Sequence, residues 1–310
     1  MEFRLLRPPI MNTLPHPRFA RAPLKMIDGI PVFSEPDRYI ENYEKIARDH
    51  VAAMTPGNDN PFIEQDLWQL LEESTRELLV RHVKNGAQVL DAGVGMGRVL
   101  GPLTQYERYG IDITFDYLKC ARDNGFGVAF SRIEDMPYED NSFDAVMACD
   151  VLEHVIDLEK CCKELIRVLR PGGTLVVRVP HLDDMAAYLN EDLPYEFIHV
   201  RSFDLPTLRI LFGKIHGLKY VEHSFVAPYF KDTLFKVKLL PLDSKIRALA
   251  KEADSPDHPL WMLRKASEVS NEEFRNWLFA LKEEKPLIYQ ELAPEIFEGL
   301  EVNVVFKKPA

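Results

Sequence analysis

"VLDAGVGMGRVL", residues Val89–Leu100, sets three glycines at every second position directly behind a short apolar run. Glycine loses more backbone freedom on folding than any other residue, so three in five positions mark a sharp turn or a close approach. The run before the glycines reads as a buried strand. "RYGIDI", "GVAFS", "FDAVMACD" and "GTLVVRVP" repeat that pattern, separated by helical stretches. Before the last of them, Leu158, Cys161, Cys162, Leu165, Ile166 and Leu169 line one helical face until Pro171-Gly172-Gly173 ends it. Strands alternating with helices imply a parallel sheet covered on both faces. With two late strands at 218–226 and 300–308, the expected fold class is α/β: a doubly wound, seven-stranded, mostly parallel sheet.

The flanks divide the chain. Residues 1–60 read as an N-terminal arm followed by a lid helix over Asp37–Met54, with "IDGIPVF" (Ile27–Phe33) as a turn. Residues 61–230 form the core, entered by a helix capped by Asn60 and ended by Asn85-Gly86. Residues 231–298 read as a helical insertion, and 299–310 return to the core as its last strand. The arm, rich in arginine and proline, lacks the continuous apolar stretch of a signal peptide. No run reaches the roughly 18 apolar residues of a membrane-spanning helix.

The 310 residues carry a formal net charge of −11 with 46% hydrophobic residues, which describes a globular protein and counts against binding DNA or RNA by bulk positive charge. Cys120, Cys149, Cys161 and Cys162 show neither a disulfide framework nor paired metal spacing, as expected in a reducing cytoplasm. The segment 231–251 is an exception to the acidic balance, with six basic residues against two acidic ones, four in excess. It reads as a solvated helix face or as a surface meeting a membrane or a lipid-linked substrate.

In an open α/β sheet, ligands bind outside the carboxyl ends of the strands, first of all at the first strand-to-helix turn. Gly93, Gly95 and Gly97 lie on that turn. A dinucleotide fingerprint is absent: position 98 is Arg, and the spacing from Asp91 is D-x-G-x-G-x-G. Together with "YGIDIT", "IEDMPYEDNSFDAVMACDVLEHV" and "LIRVLRPGGTLVVRVP", in this order over about 60–226, the stretch resembles the class I S-adenosylmethionine-dependent methyltransferases. More narrowly, it resembles the small-molecule branch that includes ubiquinone-biosynthesis enzymes. The resemblance implies S-adenosylmethionine as cofactor and methyl transfer to an oxygen or nitrogen of a small-molecule, sugar or lipid-linked acceptor. An RNA-modifying enzyme and a non-catalytic S-adenosylmethionine-binding partner protein are the alternatives.

The resemblance also assigns roles. The loop at Gly93, Gly95 and Gly97, with Asp91 and Cys149, would meet the methionine end of the cofactor. Asp112, at the end of the second strand, would accept the ribose hydroxyls, with Ile113 beside it. Ile133, with Met136, would sandwich the adenine, and Glu134 or Asp135 would replace an acid that the family commonly has where this chain has Arg132. Tyr39 and Tyr43 of the lid helix either close over the cofactor or pack against the sheet.

Displacement at a sulfonium methyl needs alignment of two reactants and, for a protonated acceptor, a base. "CDVLEHV" supplies Asp150, Glu153 and His154, which a helix starting after Asp150 would put on one face. "EFIHVRSF" adds His199 and Arg201. His154 and His199 are the candidate bases. Asp150, Glu153, His154 and His199 also resemble the divalent-metal site of some ubiquinone-pathway O-methyltransferases and small-RNA 3′-end methyltransferases. A purely structural role for this cluster is the remaining reading.

Overall fold

The computed structural model describes residues 19–54, 65–230 and 245–310. In chain order its elements are β1 (Lys25–Ile27), β2 (Ile30–Val32), α1 (Arg38–Ala53), α2 (Gln65–His82), β3 (Gln88–Ala92), β4 (Glu107–Asp112), α3 (Phe115–Asp123), β5 (Gly127–Phe130) and β6 (Phe143–Cys149). Then come α4 (Leu158–Val168), β7 (Leu169–Pro180), α5 (Leu205–Leu208), β8 (Lys219–Phe230), α6 (Lys245–Glu252), α7 (Trp261–Lys265), α8 (Asn271–Glu284), α9 (Pro286–Ile296) and β9 (Phe297–Lys307).

The strands are apolar on both faces because the sheet is buried on both. In β3, Val89 joins one hydrophobic cluster and its neighbours Leu90 and Ala92 join another, as side chains of alternate direction must. The sheet order is β1-β2-β5-β4-β3-β6-β7-β9-β8. From β2 to β7 the pairings are parallel, and β9 runs antiparallel to β7. The chain winds outward from β3 through β4 and β5, then returns to wind the other way through β6 and β7. The reversal places a crevice at the carboxyl ends of β3 and β6.

Nine strands stand where seven were expected. The seven are present, and β1 and β2 extend the β5 edge as a hairpin from the stretch read as a turn. Asp28 and Gly29 at its tip have φ of 50° and 78°, the two positive values that a two-residue hairpin requires. The cap expected at Asn60 lies outside the described residues.

The chain separates into two units, one holding the described residues up to Val226 with Glu301–Ala310, the other Ala227–Leu300. The second has its own apolar core, including Ile246, Leu263, Phe274, Leu278 and Leu292. A capping box between Ser270 and Glu273 starts α8. Of the basic segment, 231–244 lies outside the described residues, while α6 turns Ile246 and Ala250 inward. No described helix is long and apolar enough to cross a membrane.

Candidate functional site

The glycine loop is anchored from below and open above. The backbone N–H groups of Gly93 and Val94 both donate to Ile111 O at 2.9 Å, which ties the loop to β4. Gly95 has φ of 51°, and a Cβ there would enter open space. Its N–H donates to Asp112 Oδ2 at 3.0 Å, while Asp112 Oδ1 accepts from the Thr114 N–H and hydroxyl at 3.0 and 2.9 Å. A carboxylate has about four acceptor positions, so roughly one is left over for a ligand hydroxyl.

Above the loop lies a cavity of about 770 Å³, bordered by Asp91, Gly93, Gly95, Asp112, Ile113, Ile133, Glu134, Cys149, Asp150, Glu153, His154 and His199. Tyr39 and Tyr43 border it too. Of the residues expected at the cofactor, all are on this wall except Gly97, Met136 and Asp135. With φ of 74°, Gly97 faces Phe126 and α3, where a Cβ would stand 2.9 Å from the Phe126 ring. The third glycine therefore serves packing rather than ligand approach. Met136, expected beneath the adenine, is buried in the core and is not on the wall. Asp135 turns outward to Arg21 at 2.6 Å, leaving Glu134 as the acid on the wall.

One wall concentrates acid around a buried cation. Arg178, on β7, is 2% exposed. It pairs with Asp150 at 2.5 Å, lies 2.8 Å from Glu301 Oε2, and donates to Leu71 O and Thr75 Oγ1. Burial and then the Asp112 charge push Asp91 well above the usual carboxylate range. Burial and then Asp150 do the same to Glu153, and raise Glu301 to about 8. Burial alone outweighs the donors around Asp112 and raises it as well. A wall so short of positive charge fits a cationic ligand.

The expected helix after Asp150 does not form. Asp150 takes φ of 54° and its N–H donates to Arg178 O, so the chain makes a single turn, and α4 starts only at Leu158, capped by the Asp157 side chain, which accepts from the Lys160 N–H. That turn still brings Glu153 and His154 toward His199: one donor atom from each of the three lies within 4.8 Å of the others. Asp150, expected in the same ligand set, is committed to Arg178 instead.

His199 reaches the cavity because α1 clamps its loop. Asn42 Oδ1 accepts from Glu196 and Phe197 N–H, its amide donates to Phe197 O, and Lys45 donates to Pro194 O. Arg201, expected beside the site, donates to Leu152 O and Val155 O and fixes the turn that carries Glu153. His154 Nδ1 lies 3.0 Å from both Ile198 O and the Tyr43 hydroxyl, and His199 Nδ1 lies 2.5 Å from Asp183 Oδ2. With Nδ1–H donated to an oxygen in each ring, each Nε2 keeps a lone pair. Burial and the neighbouring His199 hold His154 near a pKa of about 4, so it is neutral. Both Glu153 oxygens are buried without a hydrogen-bond partner among the described residues.

The wall residues that were not anticipated include Trp68, Arg98, Arg178 and Glu301. The guanidinium of Arg98 stacks 3.7 Å over Trp68 and pairs with Glu72. For Arg178 the signal was present, since a lone arginine within "GTLVVRVP" had to find a buried partner.

A family model described as "Methyltransferase domain" matches residues 90–177. A Methanocaldococcus jannaschii protein of uncharacterized role is 31% identical over 133 residues, 42% of this chain and 63% of its own length. The ubiquinone biosynthesis O-methyltransferase of Xylella fastidiosa is 31% identical over 46% of this chain and 61% of its length. The Arabidopsis thaliana tRNA (carboxymethyluridine(34)-5-O)-methyltransferase is 33% identical over 31% of this chain and 24% of its length. The chain thus spans less than two thirds of each of these relatives. Among solved structures, the geranyl diphosphate C-methyltransferase of Streptomyces coelicolor A3(2) shares the fold at 12% identity, with a TM-score of 0.50 covering 89% of this chain and 100% of that one. The open cradle at Gly95 and the acid-rich wall fit S-adenosylmethionine, which carries an ammonium and a sulfonium. Motifs, fold and relatives together place the chain in the class I S-adenosylmethionine-dependent methyltransferase family, in its type 11 branch.

Proposed function

We propose that this chain transfers the methyl group of S-adenosylmethionine to an oxygen of a small-molecule acceptor, beside a divalent cation held by Glu153, His154 and His199. The observation that carries this reading is the pair of imidazoles whose Nδ1 atoms are already committed to Ile198 O and Asp183, next to a buried carboxylate with no hydrogen-bond partner. Histidines that bind metal usually donate their other ring N–H to a carbonyl or carboxylate in this way, and three protein ligands leave positions open for an acceptor. Such an ion would supply Lewis acidity to an acceptor hydroxyl. S-adenosylmethionine supplies, when bound, a methyl group on a positively charged sulfur.

The chain's own contribution is alignment. The Gly93–Gly95 backbone and Asp112 would hold the nucleoside and methionine parts, with Asp91 and Glu301 facing positive charge. Tyr39 and Tyr43 tie α1 to the His154 backbone and ring at 3.0 Å each, closing the acceptor side. The arginines on the wall, Arg98, Arg132 and Arg178, are paired with Glu72, Asp37 and Asp150. Among the described residues none of these is left to grip a phosphate, which favours a small uncharged acceptor over RNA. The 2.5 Å contact of His199 with Asp183 favours a second reading without an ion, in which His199 Nε2 takes the acceptor proton.

The test is incubation with methyl-labelled S-adenosylmethionine and separate small-metabolite, lipid and tRNA fractions, with and without chelator. Label in small molecules, lost on chelation and restored by a divalent ion, is expected. Label entering tRNA alone overturns the acceptor class. Undiminished transfer after chelation overturns the ion and leaves the His199 base.

A further inference from the structure

We propose that Asp183 is a positioning residue that fixes the tautomer and direction of His199, so that Nε2 presents its lone pair to the cavity. The inference rests on the reading of His199 as an acceptor-side residue, and it holds whether Nε2 meets an ion or a proton. Asp183 lies just past the end of β7, and its Oδ2 is 2.5 Å from His199 Nδ1. Both side chains are mostly covered, 22% and 16% exposed.

The segment around Asp183 is built to aim it. His181 bridges to Phe203, and the Leu182 N–H donates to Phe203 O at 2.8 Å. Between these anchors Leu182 takes φ of 58° while leaving its side chain half exposed. A branched apolar residue in the left-handed region is held there against its own preference, and such strain gathers where a neighbour must be oriented. The next acid does different work: Asp184 Oδ1 accepts the Ala186 N–H and starts the short turn Met185–Leu189. That turn carries Tyr188, whose ring lies 4.7 Å from the His199 ring. The His199 ring also lies 4.6 Å from the His154 ring, at 75° to it. It thus packs against two aromatic neighbours, and among the described residues Asp183 is the acceptor at its Nδ1.

The full chain labelled at histidine nitrogens reads the tautomer directly by NMR, with His199→Gln assigning the signal. Wild type is expected to carry the proton on Nδ1. In Asp183→Asn the Nε2–H form should rise about tenfold, because an amide can present its N–H₂ to Nδ1, whereas Asp183→Glu should retain the wild-type form. Titration with Mn²⁺ by calorimetry should show binding about 10–100-fold weaker in Asp183→Asn. A wild-type ring protonated on Nε2, or a spectrum unchanged in Asp183→Asn, overturns the inference. Should wild type bind no Mn²⁺, the divalent reading falls and the tautomer spectrum alone decides Asp183.

Discussion

Asp112→Asn separates ligand binding from folding. The carboxylate accepts three hydrogen bonds from the protein, one from Gly95 N–H and two from Thr114. Asparagine keeps a single acceptor oxygen, so either Gly95 or Thr114 must face an amide donor. A hydrogen bond to a charged group contributes about 1.5–3 kcal/mol. Losing one at the cofactor loop, with one decade of affinity per roughly 1.4 kcal/mol, predicts S-adenosylmethionine binding about 10–100-fold weaker. The unliganded fold should behave differently. Burial already raises the Asp112 carboxyl, so its charge is a cost to the folded state that the neutral amide removes. Calorimetry should therefore show the affinity loss while thermal unfolding without cofactor stays close to wild type, and the shift of Tm on adding cofactor shrinks. Affinity within about threefold of wild type, in a folded variant, would refute the assignment of Asp112 to the ligand.

Burial and then Asp150 raise Glu301 from 4.5 to about 8, so the folded state keeps a proton that the unfolded chain has released across that window. Wild-type stability should then fall as pH rises from about 4.5 to about 8, and Glu301→Gln should flatten the slope in denaturant titrations; an unchanged slope sinks the argument. Glu153→Gln should abolish divalent-ion binding in calorimetry while stabilising the unliganded fold by about 1–2 kcal/mol, because it removes a carboxyl whose ionisation burial disfavours and which has no hydrogen-bond partner among the described residues; destabilisation would show that the carboxylate is satisfied in solution. Gly97→Ala should destabilise by about 1–3 kcal/mol in urea unfolding, from its φ of 74° and the Phe126 ring 2.9 Å from the new methyl. A neutral result would mean that α3 moves aside freely.

The sequence by itself determined the seven core strands. Only the fold showed that a Cβ would strike Val151 at 93 and enter open space at 95. Short apolar runs ending in Asp91, Asp112 and Cys149 pointed to buried parallel strands, and glycine at 93 and 95 to a sharp turn or a close approach, because both signals are local. The same holds for Tyr39 and Tyr43, four residues apart on one helix. Tertiary structure decided the rest. Asp150, Glu153 and His154 fit a helical spacing, but the charge of Arg178 on the neighbouring strand drew Asp150 away and set its φ to 54°. Gly97 carries the same spacing as its two neighbours in the motif, yet the Phe126 ring, 29 residues on, gave it a packing role. Asp183 and His199 are 16 residues apart without any periodic relation, and only the clamp of α1 on 194–198 and the bridge from His181 to Phe203 bring them together. Periodicity reports which way a side chain leaves its own element. Which charge or ring it meets there depends on elements far away in the chain, and that is settled only when the chain folds.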